Sequence, residues 1–210
     1  MMEKSSNRQI RHMRTLLSIY DTEDLVRLDL PWWTYSAIDY VDQFLSSRPA
    51  RVFEYGSGAS TLWLAQRAVA VDSVEHDLDF VRLMSGLAHQ RPNITLHAEP
   101  PETTTTPVVP SGRAGYERCD FTRYVNSIER VDGEFDLIVI DGRARVACLT
   151  PALRHLKPGG LILFDDVKRP RYREVLQRPD VTVEVLSGAK PSLPYRDATA
   201  LIRPRAAQSN

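Results

Sequence analysis

Carboxylates recur in this chain at one kind of position. Glu54 ends VFE, Glu75 ends VDSVE, Glu99 follows NITLHA, Asp141 follows FDLIVI, and Asp165 and Asp166 follow LILF. A carboxylate can accept hydrogen bonds from hydroxyls, balance an ammonium group or hold a hard cation. Between the first two lie Gly56, Ser57, Gly58, Ser60 and Thr61. Glycines there allow backbone to come close to backbone, or a ligand to come close to the main chain. Burial explains the apolar runs, but it does not require an acidic residue at the end of each one.

The elements that would position these residues follow from periodicity. RVFEY, VDSVEH, NITLHAE, FDLIVIDG and LILFDD read as strands, and the continuous apolar runs of the last two suit strands buried on both faces. PWWTYSAIDYVDQFLSS carries an apolar stripe at Ile38, Val41, Phe44 and Leu45, with Pro31 placed to open a helix. Residues 60–68, 78–90, FTRYVNSIERV, VACLTPALRHL and YREVLQR read as further helices, and KPGG as a turn. VTVEVLSG and DATALIR finish the chain as two strands with a short connection, which favours an antiparallel hairpin. Five alternations of strand and helix predict an α/β, doubly wound, Rossmann-like fold: a mainly parallel seven-stranded sheet with an antiparallel last strand. In such sheets the ligand crevice lies beyond the carboxyl ends of the strands, where the acidic residues stand. Residues 1–30 are expected to form a helical lead-in, 31–203 the main domain and 204–210 a flexible tail. The proline- and threonine-rich stretch 100–115 is expected to be a long loop, either a lid or an inert insert.

Composition narrows the field. The 210 residues contain 42% apolar and 26% charged residues, an ordinary globular mixture, with 27 basic against 27 acidic residues. Zero formal net charge gives no global pull toward nucleic acid or an anionic membrane, and the arginine-rich KRPRYR adjoins Asp165 and Asp166. Two cysteines, Cys119 and Cys148, are too few for a disulfide scaffold and lack metal-finger spacing. No run approaches the ~20 apolar residues needed to span a bilayer, so a cytoplasmic protein is expected. His12, His89, His97 and His155 have no partners at ligand spacing and are expected to be structural or at the surface.

FEYGSGAST resembles the first motif of class I S-adenosylmethionine-dependent methyltransferases. SVEHD is similar to their second motif, FDLIVIDG to their fourth-strand motif and LKPGGLILFDD to the strand after it. The resemblance covers roughly residues 31–203, and within the superfamily it points to small bacterial O-methyltransferase-like enzymes. It implies that Glu54 and the Gly56–Gly58 backbone receive the methionine part of S-adenosylmethionine, with Ser57, Ser60 and Thr61 in the same loop. It also implies that Glu75 accepts both ribose hydroxyls, that His76 and Glu99 border the adenine, and that Trp33 and Thr34 close the methionine side. Asp141 belongs to the same cofactor set.

In metal-dependent catechol-type members, ligands follow the fourth and fifth strands. The matching Asp141, Asp165 and Asp166 are therefore candidate Mg²⁺ ligands, or else catalytic bases, or residues that only shape the pocket. The family's general-base lysine has no counterpart here, since Ala144 stands between Arg143 and Arg145. Those two arginines, with Tyr172, are candidate substrate contacts that favour an acidic small-molecule or peptide acceptor; solvated arginines at a helix start are the alternative. The expected activity is methyl transfer to a hydroxyl or carboxylate oxygen, with no nucleic-acid or membrane partner and a homodimer compatible. A nicotinamide-dependent oxidoreductase shares the sheet and Glu75, but Thr61 occupies the third glycine position of its fingerprint. A non-catalytic protein retaining the cofactor fold is a third reading.

Overall fold

The structure is a computed structural model that describes residues 28–191 and 193–205. Most of the expected N-terminal lead-in, with His12, and the last five residues of the expected tail lie outside the described residues. Helix α1 (Tyr35–Ser46) leads into strand β1 (Arg51–Tyr55), helix α2 (Ala59–Ala65), strand β2 (Ala70–Glu75), helix α3 (Leu78–Ala88) and strand β3 (Ile94–Ala98). Two short strands follow, β4 (Glu102–Thr103) and β5 (Cys119–Asp120), then a short helix α4 (Thr122–Val125) continuing as a 3₁₀ turn over Asn126–Arg130. Strand β6 (Phe135–Ile140), helix α5 (Arg145–Arg154), strand β7 (Leu156–Phe164), helix α6 (Arg173–Leu176), and strands β8 (Val181–Ala189) and β9 (Arg196–Pro204) complete the chain.

The main sheet has the order β3-β2-β1-β6-β7-β9-β8. The β1, β2, β3, β6 and β7 pairings are parallel; β9 runs antiparallel to both β7 and β8. The expected antiparallel hairpin is present, but its last strand is inserted between β7 and β8 and leaves β8 at the edge. Strand alternation builds two cores. Phe53, Ile138, Ile140, Ile162 and Phe164 face α5 on one side, whereas Val52, Leu137, Val139, Leu161 and Leu163 face α1 and α2 on the other. Burial on both faces is why these strands read as unbroken apolar runs.

Three local readings change. The helix expected from Pro31 begins at Tyr35, because the chain turns before it and Thr34 takes the N-cap position. KPGG is not a separate turn: it lies within β7, where the register shifts against β6 between Phe135 and Leu137 and Gly159 adopts φ 76°. The 100–115 segment is anchored at its ends by the β4–β5 pairing, and Asp120 accepts hydrogen bonds from the amides of Val108 and Val109.

Candidate active site

A cavity of about 700 Å³ opens at the carboxyl ends of β1, β2, β6 and β7. Gly56, Ser57, Gly58 and Ser60 form one part of its wall, Glu75, His76 and Asp77 a second, and Asp141, Gly142, Asp165 and Asp166 a third. This is the crevice expected where strand order reverses, between β1 and β6.

Gly56 and Gly142 hold the two central strand ends together. A Cβ on Gly56, at φ 99°, would lie 2.5 Å from the Gly142 Cα; one on Gly142 would lie 2.0 Å from the Tyr124 hydroxyl. Backbone packing within the protein therefore requires these glycines. Gly58 differs, since a Cβ there would meet nothing nearer than 3.8 Å. The wall beside it is open.

Glu54 is fully buried and does not line the cavity. Ser60, Thr61 and Ser73 donate their hydroxyls to its carboxylate at 2.5, 2.5 and 2.7 Å. Thr61 in turn accepts from the Gly58 amide at 2.9 Å, so Glu54 fixes the turn from beneath. Burial pushes its carboxyl up to about 7 against the pull of the three hydroxyls. Glu75 does face the cavity. Its Oε1 accepts from the amides of His76 and Asp77 at 2.8 and 2.9 Å, and among the described residues its Oε2 accepts only the Ser57 amide, at 3.1 Å. His76 stands beside it, its Nε2 3.2 Å from the Tyr116 hydroxyl.

Other expected site residues lie elsewhere. Trp33 is buried edge-on against Trp63, and its neighbour Trp32 lines the cavity instead. Thr34 donates to the Leu186 carbonyl and lies 3.3 Å from the Thr199 hydroxyl. Glu99 pairs with Arg123 and Arg130 off the cavity. Tyr172 packs edge-on against Phe164 in the core.

The aspartates come together. Asp141, Asp165 and Asp166 each offer an oxygen, all within 4.8 Å of one another. Lys190, from the turn between β8 and β9, reaches into the group: its ammonium lies 2.5 Å from Asp165, 2.7 Å from Asp166 and 3.4 Å from Asp197. Arg145 lies 2.8 Å from Asp141 and 3.3 Å from Asp166, and donates to the carbonyls of Asp165 and Gly142. Arg169 adds a third cation, 2.6 Å from Asp166. Burial pushes Asp165 up to about 7 despite Lys190, whereas Lys190 and Arg145 hold Asp166 well below the usual carboxylate range against its burial. The oxygen spacing suits a hard cation, but ammonium and guanidinium groups already hold those oxygens. The residues as arranged do not fit a divalent ion.

Arg145 is committed inside this network. Arg143 is not: it is half-buried over the Tyr116 ring and its Nε has no hydrogen-bond partner among the described residues. Burial and the neighbouring Arg113 guanidinium lower its pKa. Arg113, Arg143 and Arg171 all line the cavity, and none has a carboxylate within salt-bridge distance among the described residues. Sequence reasoning missed Lys190, Trp32 and Arg113. Only the lysine carried a signal, as one of two cations, with Arg196, between the strands of an expected hairpin.

A family model described as a methyltransferase domain matches residues 53–167, more than half the chain. None of the curated proteins matches. Among solved structures, an O-methyltransferase from Bacillus cereus in complex with SAH is 19% identical, covers 91% of each chain and superposes with a TM-score of 0.60. Cofactor-bound Rv0187 from MTB is 20% identical over 90% of this chain and 88% of that one, with a TM-score of 0.61. An rRNA methylase from Streptococcus thermophilus is 13% identical over 79% and 93%, with a TM-score of 0.53. At these identities the three share the fold. With the family match, the crevice at the β1–β6 reversal and the glycine turn above Glu54, this chain belongs to the class I S-adenosylmethionine-dependent methyltransferases.

Proposed function

We propose that the chain transfers a methyl group from S-adenosylmethionine to an oxygen of a small molecule or modified peptide that carries an acidic group, within a domain spanning residues 31–203 of a cytoplasmic protein. The observation that carries this reading is one cavity lined by the glycine turn and Glu75 and also by Arg113, Arg143 and Arg171, none of which has a carboxylate within salt-bridge distance among the described residues. The residues fit the donor: the wall beside Gly58 is open, and Glu75 Oε2 retains a lone pair for a hydroxyl. When bound, the donor supplies a methyl group already activated for in-line displacement.

The chain's own task is then alignment and exclusion of water. The Gly56–Gly58 turn and Glu75 hold the donor side. Arg143, with Arg113 and Arg171, orients an acidic acceptor through planar, charge-assisted hydrogen bonds. A carboxylate acceptor needs no proton removed. A hydroxyl acceptor would give its proton to Asp141, whose side chain is 19% exposed against 1% for Asp165 and 9% for Asp166. Mg²⁺ is not part of this proposal, because Lys190 and Arg145 hold the aspartates that would bind it. Calorimetric titration with S-adenosylmethionine and S-adenosylhomocysteine, with NAD as control, tests the donor. Binding of both sulfur nucleosides but not NAD is expected; binding of NAD alone would overturn the reading.

A further inference from the structure

The acidic cluster beside the cavity contains its own cation. Lys190 has three donors and meets three carboxylates, so its ammonium is fully satisfied at 4% exposure. It arrives at the same carboxyl-end face from the far edge of the sheet, carried there by the β8–β9 hairpin whose second strand inserts beside β7. The hydroxyl of Thr199, on β9, donates to the remaining oxygen of Asp165 at 2.6 Å, leaving that carboxylate held on both sides. Arg145 covers Asp141 and the outer oxygen of Asp166. Each of the three aspartates thus has a protein cation within 2.8 Å.

We propose that Lys190 is the resident cation of this cluster, that it keeps divalent metal out of the site, and that replacing its ammonium with a neutral group opens a divalent-cation site on Asp141, Asp165 and Asp166. A small hard cation bonds carboxylate oxygens at about 2.0–2.6 Å and prefers several of them at once. Lys190 holds one oxygen of Asp165 and one of Asp166, Thr199 the other oxygen of Asp165, and Arg145 and Arg169 the other oxygen of Asp166, so an ion would have to displace a protein donor from either carboxylate. Counting Asp197, four carboxylates face Lys190, Arg145 and Arg169. Loss of Lys190 removes one positive charge from a group in which carboxylates already outnumber cations. A divalent ion offsets the resulting negative excess.

The test is titration of the full chain with Mn²⁺, following the free-ion signal by electron paramagnetic resonance. The native chain is expected to show no saturable binding at this cluster in the millimolar range, and Lys190→Arg, which keeps the charge, is expected to match it. Lys190→Met is expected to bind one Mn²⁺ at least tenfold more tightly than the native chain, and to lose that binding when Asp165→Asn is added. One Mn²⁺ bound by the native chain and lost in Asp165→Asn would overturn the proposal. So would a folded Lys190→Met that binds no better than the native chain. If Lys190→Met fails to fold in metal-free buffer, recovery of its circular dichroism on adding Mn²⁺ supports the proposal, and failure to recover counts against it. None of these readouts depends on methyl transfer.

Discussion

Glu54 and Glu75 close neighbouring strands, yet their surroundings give them different work. Three hydroxyls enclose Glu54 out of reach of the cavity, while Glu75 keeps an oxygen turned toward it. Glu54 has a folded-state pKa of about 7 against an ordinary 4.5, so the native state binds the extra proton between those values. The stability this carboxyl contributes is full below pH 4.5 and lost as pH rises through about 7. Urea unfolding at pH 5 and pH 8 should therefore show the native chain losing more stability over this interval than Glu54→Gln, by an amount on the order of 3 kcal/mol. An equal loss in both would mean that the hydroxyls keep Glu54 ionised throughout. Glu75→Ala belongs at the same scale. Removing a charge-assisted acceptor should weaken S-adenosylhomocysteine binding about 10- to 100-fold by calorimetry with the protein still folded. Both carboxylates were visible in the sequence as strand-end residues. Which one faces the ligand was not, because it depends on where Ser60, Thr61 and Ser73 point.

The glycine turn and the loop after β6 are one device made of two elements. β1 and β6 are hydrogen-bonded neighbours, and their exits cross with Gly56 against Gly142. The chain bends so sharply there that Ala144, at φ 47°, and Asp166, at φ 59° after β7, hold left-handed backbone that side chains other than glycine disfavour. Such conformations persist where the surrounding packing over-determines them, and here they aim Arg145 and Asp166 at each other. Gly142→Ala should place a methyl group against the buried Tyr124 hydroxyl and the Gly56 backbone. The expected loss is about 1–3 kcal/mol of unfolding free energy, measured by urea denaturation, together with weaker cofactor binding. A change under 0.5 kcal/mol would show that the two exits can separate. Periodicity made the strands and most helices legible. It could not reveal this crossing, nor that Trp32 rather than Trp33 reaches the cavity, since neighbouring side chains just ahead of a helix diverge and packing chooses between them. Lys190 was hidden for a similar reason: its place in the site depends on β9 entering the sheet between β7 and β8, and sheet order is not written in any local pattern.

Across the whole molecule charge is balanced in number but not in place. The chain carries 27 basic and 27 acidic residues, yet the acidic groups at the cavity floor are matched internally by Lys190, Arg145 and Arg169. Arginines with no carboxylate partner among the described residues lie at the mouth. Arg113 and Arg171 are exposed there, tied together when Arg171 donates to the Gly112 carbonyl at 3.0 Å, and Arg143 lies deeper, its Nε without a hydrogen-bond partner among the described residues. Like charges held close without counter-ions repel one another, and an anion relieves that cost as it enters. If the acceptor enters by this route, matched acids should be methylated faster than their amides in an acceptor screen that follows S-adenosylhomocysteine release. The double variant Arg113→Ala/Arg171→Ala should then raise KM for the preferred acid about tenfold or more, with a smaller change in kcat, because it removes steering and ground-state binding rather than the reacting groups. Its KM should also respond less to salt than that of the native chain, since exposed charges act through a field that ions screen within about 10 Å at 0.1 M. The screen should include structured RNA alongside small acids, because an rRNA methylase shares this fold. Turnover with RNA and none with acids would move the arginines from acceptor recognition to phosphate contact. Equal rates for acids and amides, unchanged in the double variant, would remove the acidic-acceptor reading while leaving the donor site untouched.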